Sequence, residues 1–187
     1  MIRSTGALES ATSLLERAGQ GDLTRKRRLR RVQVLLNGAG VWVQSQAPLH
    51  DRNIQFQDGW GLEDLLKRLN SLVFFWPGTP EGPNIHGNRH LESGSWGGNV
   101  AILRMSTAEL FDANATLSPL FCRYNSGSPR YSHGQPSPRG PDTFVTLEDF
   151  EGTSSEVAEL TFSSRVILPR NAEVRAPANG SWQRFFH

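Results

Sequence analysis

The sequence has little of two features that define large classes of proteins, namely cysteine and long apolar runs. Cys122 is the only cysteine among 187 residues, so the chain can form no internal disulfide and no thiolate metal cluster. No stretch approaches the roughly 18 consecutive apolar residues of a membrane helix, and the N-terminus lacks the basic-then-apolar order of a secretory signal. We therefore expect a soluble cytoplasmic protein with no membrane partner, in which Cys122 serves for packing.

Several chemical motifs are also missing. The sequence has no GxSxG, Walker-type or GxGxxG pattern, which disfavours triad hydrolases, nucleoside triphosphatases and Rossmann enzymes. His86 and His90 are four positions apart, but Gly87 and Asn88 between them argue against the helix that would bring the two imidazoles together. With no third ligand evident, we predict no metal site.

Positive charge is concentrated in one short segment, although the formal net charge of the chain is only +2. Without this basic run the rest of the chain would carry −4. Such a run attracts nucleic acid in a salt-dependent way, or it forms a solvated face with no partner; both interpretations are open. In the first, Arg27, Arg28 and Arg30 are candidate substrate contacts. The run consists of Arg25, Lys26, Arg27, Arg28, Arg30 and Arg31.

The hydrophobic pattern predicts one α+β domain over residues 1–187. Leucines that recur at i, i+3, i+4 and i+7 predict an amphipathic helix over 61–70. Further helices are expected over 5–18, ended by Gly19, and from Ser106, with a capping box to Glu109, through Phe111. Residues 32–36 fit either a strand or a helical extension. Other strands are expected at 40–46, 72–76, 100–103, 143–147, 157–162, 165–168 and 173–176, with 72–76 and 100–103 at the sheet centre because both are unbroken apolar runs.

Two segments are predicted to be irregular. Residues 125–142 contain eleven Gly, Pro or Ser among eighteen positions, which predicts a long loop, and loops of this length in compact domains are usually functional or disordered. Residues 77–98 are also rich in Gly and Pro. We expect the two segments to flank one cleft, and residues 171–187 to form a C-terminal tail.

Glu159 is the acidic residue that is the main candidate for a functional role. The period of two in a strand places Ala158, Leu160 and Phe162 on one face and Glu159 with Thr161 on the other. Two interpretations are open. Glu159 is a solvent-facing strand residue, or it points into a cleft, where one carboxylate can polarise a hydroxyl or stabilise a cationic transition state.

Five short motifs follow one another over most of residues 2–170. Their order resembles an uncharacterised bacterial family with the patterns QxPL, LNxxVFFW, NSG, RGxxTF and VxEL. In this sequence they read Gln46-Ala47-Pro48-Leu49, Leu69-Asn70-Ser71-Leu72-Val73-Phe74-Phe75-Trp76, Asn125-Ser126-Gly127, Arg139-Gly140-Pro141-Asp142-Thr143-Phe144 and Val157-Ala158-Glu159-Leu160.

That family is in turn similar to the DarT-type ADP-ribosyltransferases, which use NAD to modify nucleic acid bases and carry a single glutamate on a late strand. The resemblance implies split small sheets with flanking helices that grip NAD as a substrate, with no metal. Glu159 would be the catalytic acid, which holds the nicotinamide ribose hydroxyl and stabilises the oxocarbenium-like centre as nicotinamide departs. It also implies a nucleic acid acceptor and is compatible with an antitoxin-like protein partner.

The same resemblance assigns roles to residues of three other motifs. Phe75 and Trp76 would lie near the nicotinamide, and Asn125 and Ser126 in or beside the substrate-facing loop. Arg139 would contact a phosphate or a base edge. The alternative is that Phe75 and Trp76 are core residues and that Arg139 is a surface turn residue.

The N-terminus departs from the family pattern. Members begin with a strand that carries a His-x-Thr-like element, followed by a helix of the form IxxxGxL. Ile2, Gly6 and Leu8 match that helix, so the counterpart of the first strand is expected before Met1. Two function classes are therefore open: an NAD-dependent mono-ADP-ribosyltransferase, and an inactive binding module of the same fold that docks on nucleic acid or a protein.

Overall fold

The protein has a mixed α/β fold made of several small sheets with helices around them. The computed structural model describes residues 2–92, 100–131, 134–176 and 180–186. The helices are α1 (Ile2–Thr5), α2 (Ala11–Arg17), α3 (Leu62–Asn70), α4 (Ile85–Glu92) and α5 (Thr107–Ala113). The strands are β1 (Ala7–Glu9), β2 (Val32–Leu36), β3 (Ala39–Val43), β4 (Ile54–Phe56), β5 (Leu72–Phe75), β6 (Gly78–Thr79), β7 (Gly82–Pro83), β8 (Ile102–Arg104), β9 (Leu120–Cys122), β10 (Ser137–Arg139), β11 (Glu159–Ser163), β12 (Arg165–Ile167), β13 (Glu173–Arg175) and β14 (Gln183–Arg184).

Strand β11 is the centre of the three-stranded antiparallel sheet that carries Glu159. It pairs with β5 on one side and β9 on the other. Its first four residues are all buried, because an apolar cluster that contains the leucines of α3 covers one face and a cluster around Phe162 and Leu110 covers the other. The prediction that 72–76 and 100–103 form the sheet centre is wrong, since β5 and β8 are edge strands of two different sheets.

Helix α3 confirms the clearest sequence pattern. Its leucines at positions 65, 66 and 69 are buried, because the 3.6-residue period keeps them on one stripe that packs against Leu49 and Phe144. The Asp64 carboxylate accepts a hydrogen bond from the Gly61 N–H at 3.0 Å, which satisfies one free donor at the helix start. Helix α3 therefore packs on one face of the sheet that carries Glu159.

The helix predicted over 5–18 is wrong in its first half. Residues 7–9 form β1, which pairs with β12, and Gly6 has a φ of +61° that ends the short α1. The Ser10 side chain accepts a hydrogen bond from the Ser13 N–H at 3.2 Å, so α2 begins at residue 11. Gly19 has a φ of +70° just beyond the last turn, as the C-cap prediction requires. The match of Ile2, Gly6 and Leu8 to one family helix therefore fails, because Leu8 lies in a strand.

Strands β2 and β3 form a hairpin, which excludes the helical extension of residues 32–36. Asn37 and Gly38 both have positive φ, at 52° and 79°, and two such residues between strands form a type I′ turn. The inner face of the hairpin packs Val34, Leu36 and Val43 against α2. Its outer face carries exposed side chains.

The segments predicted as irregular are more structured than their composition suggests. Strand β10 lies within 125–142 and pairs in parallel with β4, a strand that was not predicted. Residues 78–92 hold β6, β7 and α4; residues 93–98 and 132–133 of the two predicted segments lie outside the described residues. Of the predicted strand 143–147, only a single bridge from Val145 to Phe121 forms.

The C-terminal segment is part of the fold and is not a free tail. Strand β13 pairs with β14 and with β8, which confirms the strand predicted at 173–176, and Phe185 is buried. Residues 177–179 and 187 of the predicted tail lie outside the described residues. Helix α5 follows Ser106 as predicted, although the Ser106 side chain makes no capping hydrogen bond. In the described ranges no helix is long and apolar enough to cross a membrane.

Candidate functional site

Glu159 is the first residue of β11 and is buried, with 4% of its surface exposed. Its Cα partner on β9 is Cys122, so the two side chains share one face of the sheet. Burial excludes the interpretation of Glu159 as a solvent-facing strand residue. The alternation of polar and apolar side chains in β11 is real, but both faces of the strand are covered.

The Glu159 carboxylate is held by Ser126. Its Oε2 atom accepts a hydrogen bond from Ser126 Oγ at 2.6 Å and another from the Ser126 N–H at 3.2 Å. Burial raises the pKa of Glu159 to about 7, although the hydrogen bonds from Ser126 and the positive charge of Arg139 oppose this shift. At neutral pH the group therefore stands near the midpoint between acid and carboxylate, where a group can both accept and give a proton.

Arg139 lies beside this carboxylate at the end of β10, and only 1% of it is exposed. Its guanidinium donates to Ser137 Oγ at 2.7 Å, to the Pro138 carbonyl at 2.6 Å and to the Asn125 carbonyl at 3.1 Å. The guanidinium also lies 4.6 Å from the centre of the Tyr124 ring. Arg139 is therefore not a surface turn residue. Through Asn125 it fixes the backbone that presents Ser126 to Glu159.

Two buried donors near this arrangement have no acceptor among the described residues. They are Nε of Arg139 and Nε1 of Trp76. Trp76 follows Phe75, the last residue of β5, whose partner on β11 is Leu160, so in the register of the sheet Trp76 comes level with Glu159. Buried N–H groups without a partner are rare in folded proteins and call for an explanation. A bound ligand with oxygen acceptors would supply one.

Phe75 lies on the opposite face of the sheet from Glu159. It is paired with Leu160, and its ring packs edge-on against Phe162 with the centroids 6.0 Å apart. This placement favours the alternative in which Phe75 is a core residue. Trp76 and Phe75, which the motif groups together, thus lie in different surroundings.

The helix that carries His86 and His90 does form, which corrects the argument against it. Asn84 makes it possible, because its Oδ1 accepts hydrogen bonds from the N–H groups of His86 and Gly87 at 3.1 Å. The Asn84 amide also donates to the Ala158 carbonyl at 2.8 Å, so α4 is attached to the start of β11. The His90 ring lies 4.6 Å from the Trp76 ring. In the described part of the chain no group of three or more His, Cys, Asp or Glu side chains is arranged to hold a metal ion.

The three arginines predicted to contact substrate lie in different environments. Arg28 is buried, and its guanidinium donates to the Gln44 and Leu23 carbonyls at 3.1 and 3.0 Å and to Asn70 Oδ1 at 2.8 Å. Burial lowers its pKa. Arg27 is half-buried and donates to the Ala47 carbonyl at 2.6 Å. Only Arg30 projects freely from the surface, so the run is not one open patch.

Two of the five motifs supply polar residues that lie around Arg28, namely Gln46 of the QxPL motif and Asn70 of the LNxxVFFW motif. Asn70 Oδ1 also accepts from Gln46 Nε2 at 3.1 Å, and Asn70 Nδ2 donates to the Thr24 carbonyl at 2.8 Å. We call these residues, Arg28, Gln46, Asn70 and Thr24, the Arg28 cluster. The other arrangement, formed by Glu159, Ser126, Asn125 and Arg139, is the Glu159 cluster.

Cys122 and Tyr124 complete the surroundings of Glu159. Burial, together with the nearby charge of Glu159, raises the pKa of the Cys122 thiol to about 12, so this thiol is inert as a nucleophile and packs as predicted. Tyr124 was not predicted to be a site residue, and its position two residues before Ser126 is the only feature of the sequence that could have indicated it.

A shallow depression of about 380 Å³ lies elsewhere, beside α3, and none of the predicted site residues lines it.

The chain belongs to DUF7002, a family of unknown function, whose profile matches residues 1–171. Membership in this family assigns no activity. No curated protein and no solved structure matches the chain.

Proposed function

We propose that the protein is an NAD-dependent mono-ADP-ribosyltransferase with an ADP-ribosyltransferase-like fold, in which Glu159 is the catalytic acid. The observation that supports this most is the Glu159 cluster, in which a buried carboxylate with a pKa of about 7 is fixed by Ser126. An ionised carboxylate held in a water-poor site stabilises developing positive charge much more strongly than one in water.

The residues around Glu159 fit a substrate rich in hydroxyl and phosphate oxygens. Trp76 Nε1 and Arg139 Nε are donors without an acceptor in the described structure, and Ser126 orients the carboxylate. Glu159 would accept a hydrogen bond from a ribose hydroxyl and stabilise the positive charge that develops as nicotinamide leaves. Nucleic acid stays the predicted acceptor, and an antitoxin-like partner stays a prediction.

Labelled NAD offered together with DNA, RNA and protein extract tests this function. We expect transfer of label, or release of nicotinamide, with a rate that rises with pH through about 7 as Glu159 ionises. Glu159→Gln keeps the shape of the side chain and removes its charge, and it should lower the rate at least about a hundredfold. Glu151→Gln, which alters an exposed carboxylate in the preceding loop, is the matched control. Equal rates for Glu159→Gln and the unmodified chain would refute the proposal.

A non-enzymatic binding module is the second candidate, and the burial of Glu159 favours it. With 4% exposure, the carboxylate reaches a substrate only if the surrounding segments move. A module of this kind would show neither NAD turnover nor a rise in melting temperature with NAD, whereas a ligand that binds the folded state raises that temperature.

A further inference from the structure

The outer face of the β2–β3 hairpin is an unusual surface for this chain. In strand register Gln33 lies opposite Trp42, and Leu35 opposite Gly40. Trp42 is 49% exposed and Leu35 is 71% exposed. The opposite face of the same hairpin packs on α2, so these outward side chains take no part in the core. The type I′ turn at Asn37 and Gly38 makes the face a short rigid ribbon.

The segment that leads into this ribbon is positively charged, and its charge is only partly neutralised. No acidic residue occurs from position 25 to position 50, whereas six basic residues do. Lys26 pairs with Asp22 at 2.7 Å and Arg25 approaches Glu63 at 3.9 Å. Of the other four, Arg27 and Arg28 bond to neutral acceptors, and Arg28 is buried. Arg30 and Arg31 are exposed and, in the described structure, have no carboxylate partner.

Arg31 and Trp42 form the centre of the surface. The Arg31 guanidinium lies 4.6 Å from the centroid of the indole ring, so a cation and a large exposed aromatic ring are presented together. Exposed aromatic rings on which bases stack, beside arginines that track phosphates, are the two elements of proteins that bind single-stranded nucleic acid. An acidic protein surface would be attracted by the same charge, so poly-glutamate serves as the competing probe.

We propose that the outer face of the β2–β3 hairpin, with Trp42 and Arg31 at its centre and the exposed Arg30 just before the first strand, is a docking surface for single-stranded nucleic acid. It is a binding site separate from the Glu159 cluster and does not depend on catalysis there. A base takes the place of the Arg31 guanidinium on the Trp42 indole, and Arg30 and the displaced Arg31 contact the flanking phosphates. A duplex binds more weakly, because its bases are already stacked on each other.

Fluorescence anisotropy of the full chain with labelled 20-nucleotide oligo(dT), oligo(U) and a 20-base-pair duplex tests this surface. We expect single strands to bind more tightly than the duplex. Trp42→Ala should weaken binding about tenfold and Trp42→Phe should largely restore it, because a base stacks on any aromatic ring at this position. The Trp42 side chain is exposed, so both variants should fold, which their melting temperatures would check.

A charge control separates docking from a general attraction. Arg30→Ala/Arg31→Ala should weaken binding and make the dependence of affinity on salt shallower by about 0.7 per lost phosphate contact. Arg165→Ala/Arg170→Ala removes the same charge from exposed positions outside the hairpin and should change affinity much less. The proposal is overturned if neither oligonucleotide binds at low salt, if both double variants lose affinity equally, or if poly-glutamate binds as tightly as oligo(dT) does.

Discussion

The Arg28 and Glu159 clusters both bury an arginine in polar surroundings, yet they differ in how completely their polar atoms are paired. Every nitrogen of the Arg28 guanidinium has an acceptor, and each acceptor is neutral. In the Glu159 cluster, Arg139 Nε lacks an acceptor among the described residues, and a titratable acid lies beside it. Complete pairing is what a structural role requires. Incomplete pairing next to an acid with a raised pKa is typical of a functional site.

The largest effect on stability is expected at Arg28. Arg28→Ala would leave Asn70 Oδ1 and the Leu23 and Gln44 carbonyls without their donor and should lower the free energy of unfolding by about 4 kcal/mol. Arg30→Ala, two residues away and exposed, should change it by no more than about 0.5 kcal/mol. Urea denaturation measures both. Similar values for the two variants would show that the buried Arg28 contributes no more to stability than the exposed Arg30 does.

The next effect is the pH dependence that Glu159 imposes on stability. The pKa of its carboxyl group is about 7 in the folded chain against 4.5 in the unfolded one, so the folded state binds more protons between these values and stability falls as the pH rises from about 4.5 to 7. The fall should reach about 3 kcal/mol. Glu159→Gln should abolish it and Glu151→Gln should retain it, in denaturation curves at pH 5, 6, 7 and 8. A Glu159→Gln curve with the slope of the unmodified chain would contradict the raised pKa.

Ser126→Ala should have a smaller effect that itself depends on pH. The hydroxyl donates to the charged carboxylate, so its removal should lower stability by about 2 kcal/mol at pH 8 and by less at pH 5, where Glu159 is neutral. It should also move the midpoint of the Glu159 titration upward. Ser128→Ala, in the same loop, should show no such pH dependence. A loss that is the same at both pH values would show that Ser126 does not act through the charge.

The smallest effect is expected at Trp76. Because Nε1 has no acceptor in the described structure, Trp76→Phe removes no hydrogen bond and should lower the free energy of unfolding by only about 1 kcal/mol, from lost packing. If the proposed function is correct, the same change should weaken NAD binding, as measured by the shift of melting temperature with NAD. A stability loss well above 2 kcal/mol would show that the indole N–H is already bonded within the protein.

Local patterns predicted the elements whose stability is local. The leucine period of α3 could be read from the sequence because neighbouring residues determine it. The hairpin of β2 and β3 was predicted only in part, since 40–46 was expected to be a strand but 32–36 fitted either a strand or a helical extension. Leu8 also fitted a helical period, yet it lies in β1, where pairing with Val166 outweighs the local preference. Strands β4, β9 and β10 are three residues long and arise from pairing between distant segments, so no local pattern marks them.

The Arg28 and Glu159 clusters also differ in how far the sequence predicted them. The ordered motifs brought Ser126, Arg139 and Glu159 to attention together, and the structure places them together. Arg28 was predicted to be at the surface, either as a contact to nucleic acid or as part of a solvated face, because both are typical of a basic run. Its burial depends on Asn70, 42 residues further along the chain, and a charge pattern contains no information about such a partner.

The central position of β11 has a consequence for the order of folding. Its neighbours are residues 72–75, almost ninety positions earlier in the chain, and residues 120–122, so the sheet closes only after two long loops have formed, which is a slow step. In the unfolded chain Glu159 is ionised at neutral pH, and it must give up its water as that closure occurs. Lowering the pH to about 4.5, the pKa of this carboxyl group in the unfolded chain, protonates much of it beforehand and should therefore accelerate refolding. Glu159→Gln should make the refolding rate insensitive to pH between about 4.5 and 7.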